Sequence, residues 1–113
     1  MPFINIKTNT KIDKESENII KSKLGEAISI VGKAESWLMI NLEDECNMYF
    51  KGKNDDKFAM VQVSLLGSAS SSAYNNFTQE ISEALSNSLS ISKSNIYVSY
   101  METPNWGWNG NNL

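Results

Sequence analysis

Hydrophobic residues recur with a two-residue period in several short stretches of the chain, and this pattern predicts β-strands. In the first stretch, residues 2–7 (PFINIK), Ile4 and Ile6 fall on one face. The polar run at 51–56 (KGKNDD) is typical of a turn. Alternation predicts strands at 2–7 and 96–101, and apolar runs predict strands at 37–43 and 58–66, with 48–50 as a short edge strand.

Two segments between these strands carry apolar residues at helical spacing. The first begins after Asp13 or Ser16, each of which fits an N-cap, and runs to about residue 31. Gly32 then fits the left-handed conformation that often ends a helix. The second begins within residues 68–72 and ends near residue 89. The buried stripes predicted for the two helices are Ile20, Leu24, Ala27, Ile28 and Val31, and Ala73, Phe77, Ile81, Ala84, Leu85 and Ser88.

The order of these elements gives two successive β-α-β units of similar length. We therefore predict an α+β fold, with a four-stranded sheet and both helices on one face. The last strand alternates Tyr97, Ser99 and Met101 against apolar residues, so neither face of the sheet is purely polar. Because the face without helices needs a cover, we expect residues 1–113 to form one domain that is a subunit of an oligomer.

Charge and composition exclude several partners. The formal net charge is −3, and all ten basic residues are lysines, so the arginine contacts typical of nucleic-acid recognition are absent. No apolar run reaches the ~18 residues of a membrane-spanning helix. No secretory signal is visible at the N-terminus, and a cytosolic location is the default expectation. We expect neither a nucleic acid nor a membrane as a partner.

The chain also lacks the usual groups for acid–base and metal chemistry. It contains no histidine and a single cysteine, Cys46, which excludes a Ser-His-Asp triad, a histidine-based zinc site and an internal disulfide. Its glycines match no phosphate-binding loop, so no cofactor and no metal are expected. If the chain is an enzyme, its base is a raised carboxylate, a depressed lysine, Cys46 or the terminal amine.

Several short motifs occur in an order that resembles a known family. The chain begins Met-Pro, and the motifs that follow are TNTKI at 8–12, Gly32-Lys33, Leu65-Leu66-Gly67, Ile91-Ser92, Ile96-Tyr97-Val98 and Trp106-Gly107-Trp108-Asn109-Gly110. Together they resemble the macrophage migration inhibitory factor (MIF)-like tautomerases over essentially the whole chain. Each motif alone is weak, and the ordered combination carries the resemblance.

The resemblance implies a homotrimer with a pocket at each subunit interface. The amine of Pro2 would be the catalytic base, Lys33 would hold the substrate's charge, and the backbone of Leu66 would line the pocket floor. Tyr97 would reach the pocket from the neighbouring chain. The aromatic wall would be completed by Trp37, Trp106 and Trp108. The expected reaction is keto-enol tautomerisation of phenylpyruvate-like or dopachrome-like substrates, and it requires removal of Met1.

Some residues depart from the family pattern, and other functions stay open. Trp37 replaces a smaller aromatic residue, Ser99 a frequent asparagine and Trp106 a small aliphatic residue, which leaves the substrate range undetermined. One alternative is a MIF-like cytokine that binds a protein receptor, is secreted without a signal peptide and keeps only vestigial activity. Another is a branch of the superfamily that handles dicarboxylates or halogenated acids. The absence of arginine argues against that branch.

Overall fold

The structure is a computed structural model that describes all residues from 1 to 113. The order of the main elements is β1 (Pro2–Thr8), α1 (Lys14–Ala27), β2 (Met39–Glu43), β3 (Ala59–Leu66), α2 (Ser71–Leu89), β4 (Ile96–Thr103), β5 (Gly107–Trp108) and β6 (Asn111–Asn112). Short 3-10 helices cover Ile28–Val31, Glu35–Trp37 and Lys93–Asn95.

The first four strands form one mixed sheet in the order β2-β1-β3-β4. Within each β-α-β unit the two strands are parallel, as the helical crossover requires. The units join through antiparallel pairing of β1 with β3, in which Pro2 lies opposite Leu65 and Thr8 opposite Ala59. The predicted α+β fold, with a four-stranded sheet and two helices, is confirmed.

Both helices begin at the kind of residue that the sequence predicts. The Asp13 carboxylate accepts a hydrogen bond from the Ser16 N–H at 2.7 Å, and the Ser70 hydroxyl accepts one from the Ala73 N–H at 3.0 Å. The first helix is α-helical only to Ala27 and tightens into a 3-10 turn before Gly32, which has a φ of +76°. Neither helix is long and apolar enough to cross a membrane.

Three predictions about the strands were wrong, two of them in a boundary and one in the existence of the strand. Trp37 belongs to a 3-10 turn, so the strand predicted from residue 37 begins only at Met39. The predicted edge strand at 48–50 is absent, because Phe50 instead closes a tight turn against Lys53. The last strand continues beyond residue 101 to Thr103, since its pairing with β3 extends to Leu66.

The core lies between the sheet and the helices. Every residue of the first predicted helical stripe is buried, and in the second stripe Phe77, Ile81, Ala84 and Leu85 are buried. Isoleucine, valine and leucine side chains of β1 and β3 complete the cluster from the sheet side. These strands are central, which explains why their inward-facing positions are almost fully shielded from water.

The opposite face of the sheet has no cover within the chain. Its large apolar side chains include Met39 and Met101, which are 68% and 65% exposed. The next row along the strands consists of amides, in which Asn41 donates to Asn5 at 2.9 Å and Asn5 donates to Gln62 at 3.4 Å, and beyond it lie Met60 and Tyr97. The bare face therefore combines apolar ends with a hydrogen-bonded polar centre.

We expect Phe77→Ala to lower the free energy of unfolding by about 3–5 kcal/mol, because the Phe77 ring is fully buried and its loss leaves a cavity. Urea unfolding at a fixed protein concentration measures this change. Gln79→Ala, on the exposed side of the same helix, is the matched control and should change stability by less than about 0.5 kcal/mol. Equal effects of the two substitutions would contradict this assignment of the core.

Candidate active site

The start of β1 lies against the end of β3, and this contact defines the candidate site. Pro2 is buried and pairs with Leu65. Proline has no N–H to donate. At this end of the strand pair, the Leu66 N–H donates to the carbonyl oxygen of Met1 at 3.2 Å. The backbone donor of Leu66 therefore points at the residue that precedes Pro2.

Lys33 brings a positive charge to the same place. Gly32 turns the chain out of the first helix in a left-handed conformation, and the Lys33 ammonium donates to the Leu66 carbonyl oxygen at 2.6 Å. No carboxylate lies within 4.0 Å of this ammonium, since the chain's two ion pairs are Lys14–Glu17 and Lys93–Glu83. An ammonium has three donors, so Lys33 keeps donors and an unneutralised charge for an anionic ligand.

Gly67 lies beside the lysine in a backbone conformation that favours glycine. Its φ of +85° is disfavoured for residues with a side chain, and a Cβ at this position would lie 3.9 Å from the Lys33 ammonium. The Gly67 N–H donates to the Thr103 carbonyl at 2.9 Å, which ties the end of β3 to the end of β4. The place of this glycine directly after a buried strand is a recognisable turn signal in the sequence.

The positive charge of Lys33 acts on the terminal amine of Met1. Burial lowers the pKa of the Met1 amine below its usual value of 8.0, and the nearby Lys33 ammonium lowers that pKa further. Both causes disfavour the charged form of an amine. Pro2, the next residue, is itself buried.

Two of the predicted aromatic residues meet. Trp37 and Trp108 form an edge-to-face pair with ring centroids 5.0 Å apart and an interplanar angle of 87°. Trp108 lies in the hairpin β5–β6, whose turn consists of Asn109 and Gly110, both with positive φ. This hairpin was not predicted, although Asn-Gly is the strongest short hairpin signal. Trp106 precedes the hairpin and its carbonyl accepts from the Leu113 N–H at 2.9 Å.

Tyr97 lies far from Pro2 of its own chain. In the sheet register, Pro2 is level with Leu65 and Glu102, whereas Tyr97 is level with Met60. Five residues of β4 separate the two levels, which corresponds to about 17 Å along the strand. One chain therefore brings Pro2, Lys33 and Leu66 together but cannot add its own Tyr97.

A further group supports the site and was not identified from the sequence. The Tyr74 hydroxyl donates to the Glu102 carboxylate at 2.5 Å, and the Ala69 N–H points at both groups at 3.2 and 3.4 Å. This contact holds the segment that follows Leu66 and Gly67. Nothing in local sequence predicts it, because Glu102 lies 28 residues from Tyr74 in the chain. No group of three or more acidic or thiol side chains is placed to hold a metal ion.

Comparison with known proteins agrees with this geometry. The family model of macrophage migration inhibitory factor (MIF) matches residues 1–113. Mouse macrophage migration inhibitory factor is 25% identical over 112 residues, which cover 97% of this chain and 96% of the mouse protein. The chain belongs to the MIF family, within the tautomerase superfamily.

Solved structures show the same fold. The crystal structure of Leishmania major MIF2 superposes with a TM-score of 0.92 at 27% identity and covers 100% of this chain and 97% of its own. A MIF homologue from Prochlorococcus marinus superposes with a TM-score of 0.88 at 23% identity, with 97% of each chain covered. The family resemblance expected from the sequence is thus confirmed.

We expect Lys33→Met to raise the pKa of the terminal amine, because the substitution removes the cation that disfavours amine protonation. NMR titration of protein carrying isotope-labelled Met1 would follow this amine directly. Lys21→Met is the control, since Lys21 is an exposed lysine of α1 that exerts no resolved effect on the amine. An unchanged or lower pKa in Lys33→Met would contradict the electrostatic coupling.

Proposed function

We propose that the protein is a keto-enol tautomerase whose base is the amine of Pro2, exposed when Met1 is removed. The observation that carries this proposal is the hydrogen bond from the Leu66 N–H to the Met1 carbonyl beside the Lys33 ammonium. A carbonyl oxygen already occupies the place where a substrate oxygen would bind. Cleavage of Met1 removes that oxygen, frees the Leu66 N–H and leaves the lone pair of Pro2 next to it.

The proposed reaction moves one proton from carbon to oxygen. The neutral Pro2 nitrogen removes a proton from the carbon next to the substrate ketone, and the electron pair of the broken C–H bond becomes the enolate. Lys33 stabilises the substrate's negative charge, and the Leu66 N–H donates to its oxygen. The protonated Pro2 then gives its proton to the enolate oxygen, which restores the neutral amine. No oxidant or other co-reactant is needed.

The proposed substrate is a flat aromatic 2-oxo acid such as phenylpyruvate. Lys33 is a single free cation, which suits one carboxylate, and the chain has no arginine to hold a second one. Trp37 and Trp108 are about half exposed, so their rings offer apolar surface to a ligand. Trp106, the third tryptophan of the predicted wall, would lie at the mouth of the pocket.

The proposed assembly is a homotrimer in which Tyr97 completes a neighbour's site. Two features support it. Tyr97 is 60% exposed and cannot approach Pro2 within its own chain. The sheet also leaves Met39 and Met101 uncovered on the face without helices. A ring of three copies would place Tyr97 of one copy beside Pro2 of the next and shield part of that face.

We expect protein that retains Met1 to be nearly inactive on phenylpyruvate, and the processed protein to be active. In protein that retains Met1, the Pro2 nitrogen is part of a peptide bond and cannot accept a proton. The Met1 carbonyl also keeps the Leu66 N–H in a hydrogen bond. Ultraviolet absorbance of the enol follows turnover, and mass spectrometry gives the processed fraction of each sample. Equal turnover by the two forms would defeat the mechanism.

Pro2→Gly in processed protein should lower kcat by about 10²-fold or more, which is the usual contribution of a positioned general base. The substitution replaces a rigid secondary amine with a mobile primary one. Lys21→Met serves again as the control and should keep parental turnover. A Pro2→Gly variant with parental kcat would overturn the assignment of Pro2 as the base.

A further inference from the structure

Tyr97 is exposed to solvent, yet its ring has one firm contact. Phe50 packs edge-to-face against it, with ring centroids 5.1 Å apart and an interplanar angle of 86°. Phe50 also packs against the buried ring of Phe58, with centroids 5.7 Å apart. A recess of 170 Å³ is lined by the same three rings. Tyr97 would therefore have room to rotate if residue 50 were smaller.

The backbone fixes the position of Phe50. Phe50 and Lys53 exchange two hydrogen bonds, from the Phe50 N–H at 2.8 Å and from the Lys53 N–H at 3.0 Å. Lys51 and Gly52, between them, both have positive φ, as the tightest hairpin turns require. This turn directs residue 50 back towards the sheet, which is why the apolar run at 48–50 does not become an edge strand.

Phe58, the second contact of Phe50, is itself tied to the end of β1. Its N–H donates to the Asn9 side chain at 2.8 Å, and its carbonyl accepts from the Thr8 hydroxyl at 2.6 Å. The contacts thus run without a gap from the central strand through Phe58 and Phe50 to Tyr97. Tyr97 has no other aromatic contact, so Phe50 is the ring that limits its orientation.

We propose that Phe50 is a positioning residue for Tyr97, and that the turn at 50–53 of one copy sets the substrate affinity of its neighbour's site. This inference rests on the proposed function, in which Tyr97 enters the neighbouring pocket. A fixed phenol ring binds an aromatic substrate without first losing rotational freedom, whereas a mobile ring must be ordered at each binding event. Phe50 would act on binding and leave the proton transfer at Pro2 unchanged.

The first test is steady-state kinetics of processed Phe50→Leu on phenylpyruvate. We expect KM to rise about two- to tenfold, the range of one aromatic pair, with kcat within about twofold of the parent. Lys21→Met is again the control, because Lys21 lies on α1 and does not line this recess. In a Tyr97→Leu background, Phe50→Leu should have no further effect on KM. An unchanged KM in Phe50→Leu, or independent effects in the double variant, would overturn the proposal.

The second test shows whether the effect crosses the subunit interface. In oligomers mixed from Pro2→Gly and Phe50→Leu chains, some sites combine an intact Pro2 with an intact Phe50–Tyr97 pair from the other chain. We expect a component with parental KM to appear in such mixtures. If every active site keeps the raised KM of Phe50→Leu, residue 50 acts within its own chain and the proposal is wrong. A processed parent without any turnover would instead refute the proposed function itself.

Discussion

The candidate site depends on the antiparallel pairing of β1 with β3, because this pairing places the start of the chain against the end of a buried strand. Pro2 is fixed opposite Leu65 by the register of the whole sheet, not by a flexible tail. The same strand end offers the Leu66 carbonyl to Lys33 and the Leu66 N–H to the residue before Pro2. A terminal amine becomes a useful base only when its position and its surroundings are both controlled, and this pairing supplies both.

Each half of the proposed pocket has its own support. Lys33 is placed by the left-handed Gly32 and by its bond to Leu66, and the left-handed Gly67 turns the chain beside it. Tyr97 lies at the other end of the sheet and rests on Phe50 and Phe58. In a ring of copies, these two ends would meet across the interface. Of the departures from the family pattern, Trp37 and Trp106 belong to the proposed aromatic wall and Ser99 lies on β4, whereas the proposed base is unchanged.

Local rules predicted the elements that depend on local structure. A cap at Asp13 or Ser16, a helix stop at Gly32 and two buried stripes follow from capping, glycine conformation and periodicity. The structure has Asp13 as the cap, Gly32 in the left-handed conformation, the whole first stripe buried and four of the six residues of the second stripe buried. The predictions failed where contacts between residues distant in the sequence determine the local conformation. Trp37 turns outward to meet Trp108, and Phe50 turns back towards Tyr97, although both lie in runs that read as strands.

The candidate site likewise combines residues that the sequence predicted with contacts that it did not predict. Its residues were found because short motifs resemble a family, since no single one of them carries a chemical signature on its own. The Tyr74–Glu102 contact and the part played by Phe50 leave no trace in the motifs and became visible only in three dimensions.

The most direct test of the account is an NMR titration of the Pro2 amine in processed protein. Burial and the Lys33 cation lower the pKa of the Met1 amine, and we expect them to act on the Pro2 amine in the same way. The expected pKa therefore lies below the ~7.7–8.0 of an ordinary α-amine, with the nitrogen substantially neutral at neutral pH. A pKa well above 8 would mean that the amine is charged under working conditions, and Pro2 could not then be the base.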